Sequence, residues 1–175
     1  MGIVLIAVLL VLIDIVVAYL FWIGAPYIPT KASGVRAIVE ACGLHEGEKA
    51  ADIGSGDGRI LIAFAQNNIE AHGFEINPFL VWWSRRKIKN AGLQHLAFVH
   101  QQNLWQADLS PFNAVTVFGA FHLMRRLEKK FRRELRHGAR VVSLGFEFPT
   151  WPIMEKRGSF FLYQQNSPPE TEGLH

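Results

Sequence analysis

The sequence predicts an α/β fold, a parallel sheet with helices on both faces. Three observations predict it. Short apolar runs alternate with helical stretches, the rhythm of βαβ units. A glycine-rich turn, Gly54-Ser55-Gly56-Asp57-Gly58, follows the first of those runs. An acid, Glu75, ends the second, 19 residues beyond Gly56. Ligands of open parallel sheets bind at the C-terminal ends of the strands, so the turn and the acid fall where a site is expected.

The elements follow in order. Ser33 suits the cap of a helix running to Cys42, with Gly43 as its stop. A strand over 49–53 ends at the glycines. A helix over 59–67 places Ile60, Leu61, Phe64 and Ala65 on one face. A strand over 71–75 leads to Pro78, a good first-turn residue, and a helix to Ala91. Strands follow over 96–100 and 114–118. A basic helix over 123–136 stops at Gly138, and strands over 139–144 and 160–163 complete the pattern.

The N-terminal run 3–23 carries one charge, Asp14. At 1.5 Å per residue such a helix would cross a hydrocarbon core of about 30 Å. No basic residue precedes it, so it reads as an uncleaved anchor rather than a signal peptide. Lys31 and Arg36 follow it, and the positive-inside rule then puts the remainder in the cytoplasm. The expected division is an anchor over 3–23, a linker or strap over 24–31, a ligand-binding domain over 32–164 and a disordered tail over 165–175. The expected location is a single-pass membrane protein of the bacterial inner membrane, with the mitochondrial inner membrane as the alternative.

Composition narrows the function. Eighteen Lys and Arg stand against fifteen Asp and Glu, too slight an excess to imply nucleic acid. The cations cluster at Arg85-Arg86-Lys87 with Lys89 and from Arg125 to Arg136, as on solvated helix faces or beside anionic lipid. Cys42 is the single cysteine, which excludes an internal disulfide; its apolar neighbours suit a packing role. The seven histidines are scattered, and no metal is expected.

The glycine turn is chemically specific. Glycines between a strand and a helix allow a sharp turn and close approach to a ligand. A dinucleotide loop would read Gly-x-Gly-x-x-Gly, but Arg59 stands at its third glycine. The pattern Asp52-x-Gly54-x-Gly56-x-Gly58 instead matches the first motif of class I methyltransferases, with S-adenosyl-L-methionine as cofactor and a Rossmann-like sheet. Asp52, Gly54, Ser55, Gly56, Asp57 and Gly58 would hold the amino-acid part. Glu75, with Ile76 beside it, suits the ribose hydroxyls. Asn103 and Leu104 suit the adenine edge.

Further segments are similar to one family: Pro26-Tyr27-Ile28-Pro29-Thr30, Gly73-Phe74-Glu75-Ile76-Asn77-Pro78, Asn103-Leu104-Trp105, Val117-Phe118-Gly119 and Phe146-Glu147-Phe148-Pro149-Thr150-Trp151. Together with the apolar N-terminus they resemble the membrane-anchored protein-lysine methyltransferases of the adenine nucleotide translocase and the ATP synthase c subunit, and their bacterial relatives. The family usually carries Asp where this chain has Asn103. The resemblance implies methyl transfer to a lysine amine of a membrane protein. Phe118 and Gly119 would then line the methyl channel with Phe121, and Glu147 would hold or deprotonate the amine, a task His122 could also serve. Two alternatives remain: methylation of a lipid-soluble small molecule, and cofactor binding by a tethered protein without catalysis.

Overall fold

The computed structural model describes residues 2–23 and 32–166. The expected strap over 24–31 and the tail from 167 onward lie outside these residues. Helix α1 spans Gly2–Ile23 and α2 spans Ala32–Cys42. Next come β1 (Lys49–Ile53), α3 (Arg59–Ala65), β2 (Glu70–Glu75), α4 (Pro78–Asn90), β3 (Ala97–Gln101) and β4 (Ala114–Phe118). The chain ends with α5 (Met124–Glu134), β5 (Arg140–Leu144), β6 (Glu155–Arg157) and β7 (Phe160–Gln164). Short 3-10 turns occupy Leu104–Gln106 and Phe121–Leu123.

The seven strands form one sheet in the order β3-β2-β1-β4-β5-β7-β6. Alternation along each strand sorts the core into two layers. Ala50, Ala71, Ala97, Ala114 and Val142 pack with α2, α3 and α4 through Ile38, Leu61, Phe64, Val81 and Ile88. Ala51, Ile53, Phe74, Val115, Val117 and Val141 pack on the opposite face with Leu127 and Phe131 of α5 and with Leu135 just beyond it. Cys42 is buried in the first layer, and burial pushes its thiol up to about 12. It is a packing residue there, not a thiolate.

The expectation of a parallel sheet is corrected at one edge. Strands β1 to β5 pair in parallel, but β7 is antiparallel to both β5 and β6. A parallel strand needs a crossover, usually helical. Residues 145–154 supply no helix, and β6 returns into β7 through a tight turn at Gly158 (φ 55°). The short β6 carries Glu155, Lys156 and Arg157, a charged sequence with no apolar alternation to announce a strand. Past β7, Gln165 is buried and extends the ladder: its N–H donates to the Ala139 carbonyl at 2.8 Å, and its own carbonyl accepts from Gly138 at 2.7 Å.

The expected transmembrane anchor over 3–23 is also corrected. Among the described residues, no helix is long and apolar enough to cross a membrane. Helix α1 forms, but its described side chains give an exposed apolar run over 4–12 followed by the exposed Asp14. The described residues therefore form a Rossmann-like mixed sheet with helices on both faces, and none of their helices is a membrane span.

Candidate active site

Strands β1, β2 and β4 end together at one rim of the sheet, and the glycine turn leaves β1 there. Gly54, Gly56 and Gly58 have φ of 74°, 54° and 76°, a left-handed conformation that disfavours side chains. The turn is pinned to β2, because the Gly54 N–H donates to the Phe74 carbonyl at 2.9 Å. A Cβ at Gly73 would lie 2.5 Å from Ser55 Oγ and 2.6 Å from Leu61 Cδ1. The middle of β2 therefore has to be glycine for the turn to seat on it.

Glu75 is brought to the turn. Its Oε2 accepts from the Gly56 N–H at 3.0 Å, and its Oε1 accepts from the Asn77 N–H at 2.8 Å. Each carboxylate oxygen has two lone-pair sites, so both oxygens retain capacity to accept a diol. Asn77 in turn caps α4, its Oδ1 accepting from the Phe79 and Leu80 N–H groups. Ile76, between these two, is exposed.

Two carboxylates at the turn have opposite electrostatics. Asp52 is buried and shares its face of the sheet with Ala50. Burial pushes its carboxyl up to about 7, against a bond from Thr116, and the negative Glu75 and Asp57 add to the rise. Thr116 Oγ1 donates to Asp52 Oδ1 at 2.6 Å from the paired position on β4. Asp57 is buried too, and burial would raise it, but Arg59 and Lys87 together hold it below the usual carboxylate range. Arg59 Nε reaches Asp57 Oδ1 at 2.9 Å, and Lys87 Nζ reaches Oδ2 at 2.7 Å. This pair clamps the turn between α3 and α4.

Asn103 is exposed after β3, and its Oδ1 accepts from the Trp105 N–H at 3.1 Å, capping the turn that Leu104 begins. That bond leaves the side-chain NH2 as the group free to face a ligand. At the tip of β4, Phe118 is half-buried and Gly119 is buried. A Cβ at Gly119 would lie 2.4 Å from Met124 Sδ, so a side chain there would have to displace the Met124 thioether. Phe121 is 82% exposed, and its ring stands 6.5 Å from that of Phe146. Glu147 is exposed and faces Lys156 Nζ at 3.4 Å. His122 is exposed.

Sequence reasoning passed over Thr116 and Lys87. Thr116 had a legible signal, one hydroxyl inside the apolar run Ala114-Val115-Thr116-Val117. Lys87 had none, since it sits among other cations and its partner is 30 residues away. Ser55 Oγ is buried without a hydrogen-bond partner among the described residues, an orphan group at the centre of the turn.

The comparisons bear on this rim. The lysine N-methyltransferase of the ATP synthase c subunit from Xenopus laevis is 39% identical over 126 residues, 72% of this chain and 55% of its own length. The adenine nucleotide translocase lysine N-methyltransferase of Mus musculus is 39% identical over 127 residues, again 72% of this chain and 55% of its own. The chain thus spans about half the length of the curated relatives it matches. Among solved structures, an RNA methyltransferase from Salinibacter ruber in complex with S-adenosyl-L-homocysteine superposes with a TM-score of 0.77 at 29% identity, covering 82% of this chain and 98% of that one. A family model described as the ANTKMT methyltransferase domain matches residues 52–155. Because that match takes in the glycine turn, Glu75 and the Phe148-to-Trp151 loop together, the chain belongs to the ANTKMT methyltransferase-domain family.

Proposed function

We propose that this chain is an S-adenosyl-L-methionine-dependent methyltransferase whose acceptor is a lysine amine of a membrane protein. One observation carries the reading: the Glu75 carboxylate bridges Gly56 and Asn77 at the mouth of a turn that three left-handed glycines keep free of side chains. The residues fit the cofactor. Glu75 accepts from its ribose, and Asp52, Gly54, Ser55, Asp57 and Gly58 shape the turn around its amino-acid part. Ile76, Asn103 and Leu104 flank the adenine.

When bound, the cofactor supplies an electrophilic methyl on a sulfonium. The chain's own task is orientation and dehydration, and orientation can remove up to about 7 to 11 kcal/mol from such a barrier. Phe118 and Gly119 form the channel wall at the tip of β4. Their apolar surroundings favour a neutral amine over the ammonium whose ordinary pKa is about 10.4. Glu147 meets the incoming amine at the surface, where it now holds the cation of Lys156. The names of the relatives, lysine methyltransferases of the ATP synthase c subunit and of the adenine nucleotide translocase, support a protein lysine and a membrane-embedded substrate.

A second reading, RNA as substrate, draws on the name of the Salinibacter ruber neighbour and on the basic α5. That helix argues against it, because four of its six cations are engaged within the fold, leaving Arg125 and Lys129 exposed. Lys130 is buried and donates to the Ala107 carbonyl and to Glu134; Arg132 pairs with Glu128; Arg133 pairs with Glu134; Arg126 lies 3.8 Å over the Trp105 ring.

The test is incubation of the purified protein with methyl-labelled cofactor and membranes from a host lacking the gene, followed by mass spectrometry. Label on lysines of a membrane protein is expected. Label in the lipid extract would replace the reading with small-molecule methylation, and cofactor binding without any transfer would leave a binding protein.

A further inference from the structure

Helix α4 carries two apolar faces where a surface helix ordinarily has one. Val81, Ser84 and Ile88 are buried against the sheet. On the opposite side Phe79, Trp82 and Trp83 are 62%, 58% and 38% exposed. Positions i, i+3 and i+4 lie on one helix face, and the rings form a cluster, with Phe79 5.9 Å from Trp82 and 6.2 Å from Trp83. Exposed large aromatics grouped in this way mark an interaction surface.

The surrounding charge says what would cover it. Arg86 continues the stripe at i+7 and Lys89 borders it; both are exposed. The helix holds Arg85, Arg86, Lys87 and Lys89 and no acidic residue. Arg85 and Lys87 are tied to the Val99 carbonyl and to Asp57, which leaves Arg86 and Lys89 as the cations directed at a partner. Trp and Phe beside Arg and Lys on a convex helix face match the interfacial layer of a bilayer, where rings sit at head-group depth and cations meet anionic lipid.

We infer that this face of α4 is a docking surface for an anionic lipid bilayer, seated through Phe79, Trp82 and Trp83 and held by Arg86 and Lys89. The surface adjoins the candidate site, since α4 begins three residues after Glu75 and Lys87 joins it to Asp57 of the glycine turn. Docking would therefore hold the rim of the sheet at the membrane surface. The inference goes beyond methyl transfer and does not require it.

The test uses the full chain and phosphatidylcholine vesicles with brominated acyl chains, prepared with and without phosphatidylserine. Bromine quenches tryptophans that reach the bilayer. The readout is the quenching present in the unaltered protein and absent in Trp82→Phe/Trp83→Phe, so adsorption elsewhere on the chain does not score. That difference should be several-fold larger on phosphatidylserine vesicles and should fall as salt is raised. It should also be largely lost in Arg86→Glu/Lys89→Glu, with the thermal melt of each variant unchanged because all four side chains are exposed. No difference on phosphatidylserine vesicles, or an equal difference on both vesicle types, overturns the inference. Shielding of the two tryptophans by an acidic protein but not by vesicles overturns it as well, in favour of a protein partner.

Discussion

The two halves of the strand-tip rim are built differently. At β1 and β2 the polar groups are tied into the fold: Glu75 to two backbone N–H groups, Asp52 to Thr116, Asp57 to Arg59 and Lys87. At β4 and β5 the rim is made of aromatic rings, with Phe118 half-buried and Phe121 standing in solvent. The first half is preorganised by backbone geometry, which suits a ligand that does not vary. The second is made of side chains that can repack, which suits an acceptor that differs from one family member to another.

The largest break in this contrast is expected at Glu75. Glu75→Ala removes two hydrogen bonds to a charged group, each worth about 1.5–3 kcal/mol, and leaves the Gly56 and Asn77 donors without their acceptor. Titration calorimetry should show S-adenosyl-L-methionine affinity falling at least about a hundredfold. Glu75→Gln keeps an acceptor and should lose less.

Asp52 and Asp57 sharpen the contrast through pH, because their shifts have opposite signs. Asp52 has a folded pKa of about 7 against an unfolded value near 3.9. Between those values the folded state binds more protons than the unfolded one, so Asp52 makes stability fall as pH rises through that window. Asp57 has a lowered folded pKa; its contribution is present above its unfolded value and lost as pH falls through the folded one. Asp52→Asn should flatten the decline in denaturation free energy between about pH 4 and 7 and leave the acid limb in place. An unchanged slope in that window would show that the Asp52 carboxylate is not the source.

The cofactor half was the more legible in sequence because its chemistry is written in contiguous backbone. Three glycines spaced by two, and an acid at the next strand end, name a conformation that few other residues can adopt. The fold was legible for the same reason wherever helices connect strands. It failed at β6, a charged three-residue strand without alternation, and at the direction of β7, whose strand was foreseen but whose hairpin replaces a crossover. It failed also at the N-terminal run, where hydropathy alone suggested a membrane crossing. The clamp on Asp57 was invisible because Lys87 and Arg59 converge only after α3 and α4 are laid side by side.

That clamp supports a smaller prediction. Lys87→Met leaves the buried Asp57 with Arg59 alone. Lys87 is a third exposed, so solvent screens the pair, and the loss should be about 1 kcal/mol. In a domain of this size that is a melting-point drop of about 2–4 °C. Raising salt should shrink the difference between the two proteins.

The smallest effect on stability is expected where the proposed effect on specificity is concentrated. Phe121→Ala removes a ring that is 82% exposed, and such surface changes stay within about 0.5 kcal/mol. Cofactor affinity should be unchanged, since the ring lies at β4 and not at the glycine turn. Turnover of the protein acceptor should nevertheless fall, mainly as a raised KM, because on the proposed reading Phe121 and Phe146 form the rim an acceptor crosses. Steady-state kinetics with the acceptor identified from labelled membranes would measure this. If KM and kcat are both unaltered, the aromatic rim is a surface accident and acceptor choice lies elsewhere in the chain. If cofactor affinity falls instead, the division of the rim into a fixed half and an adaptable half is wrong.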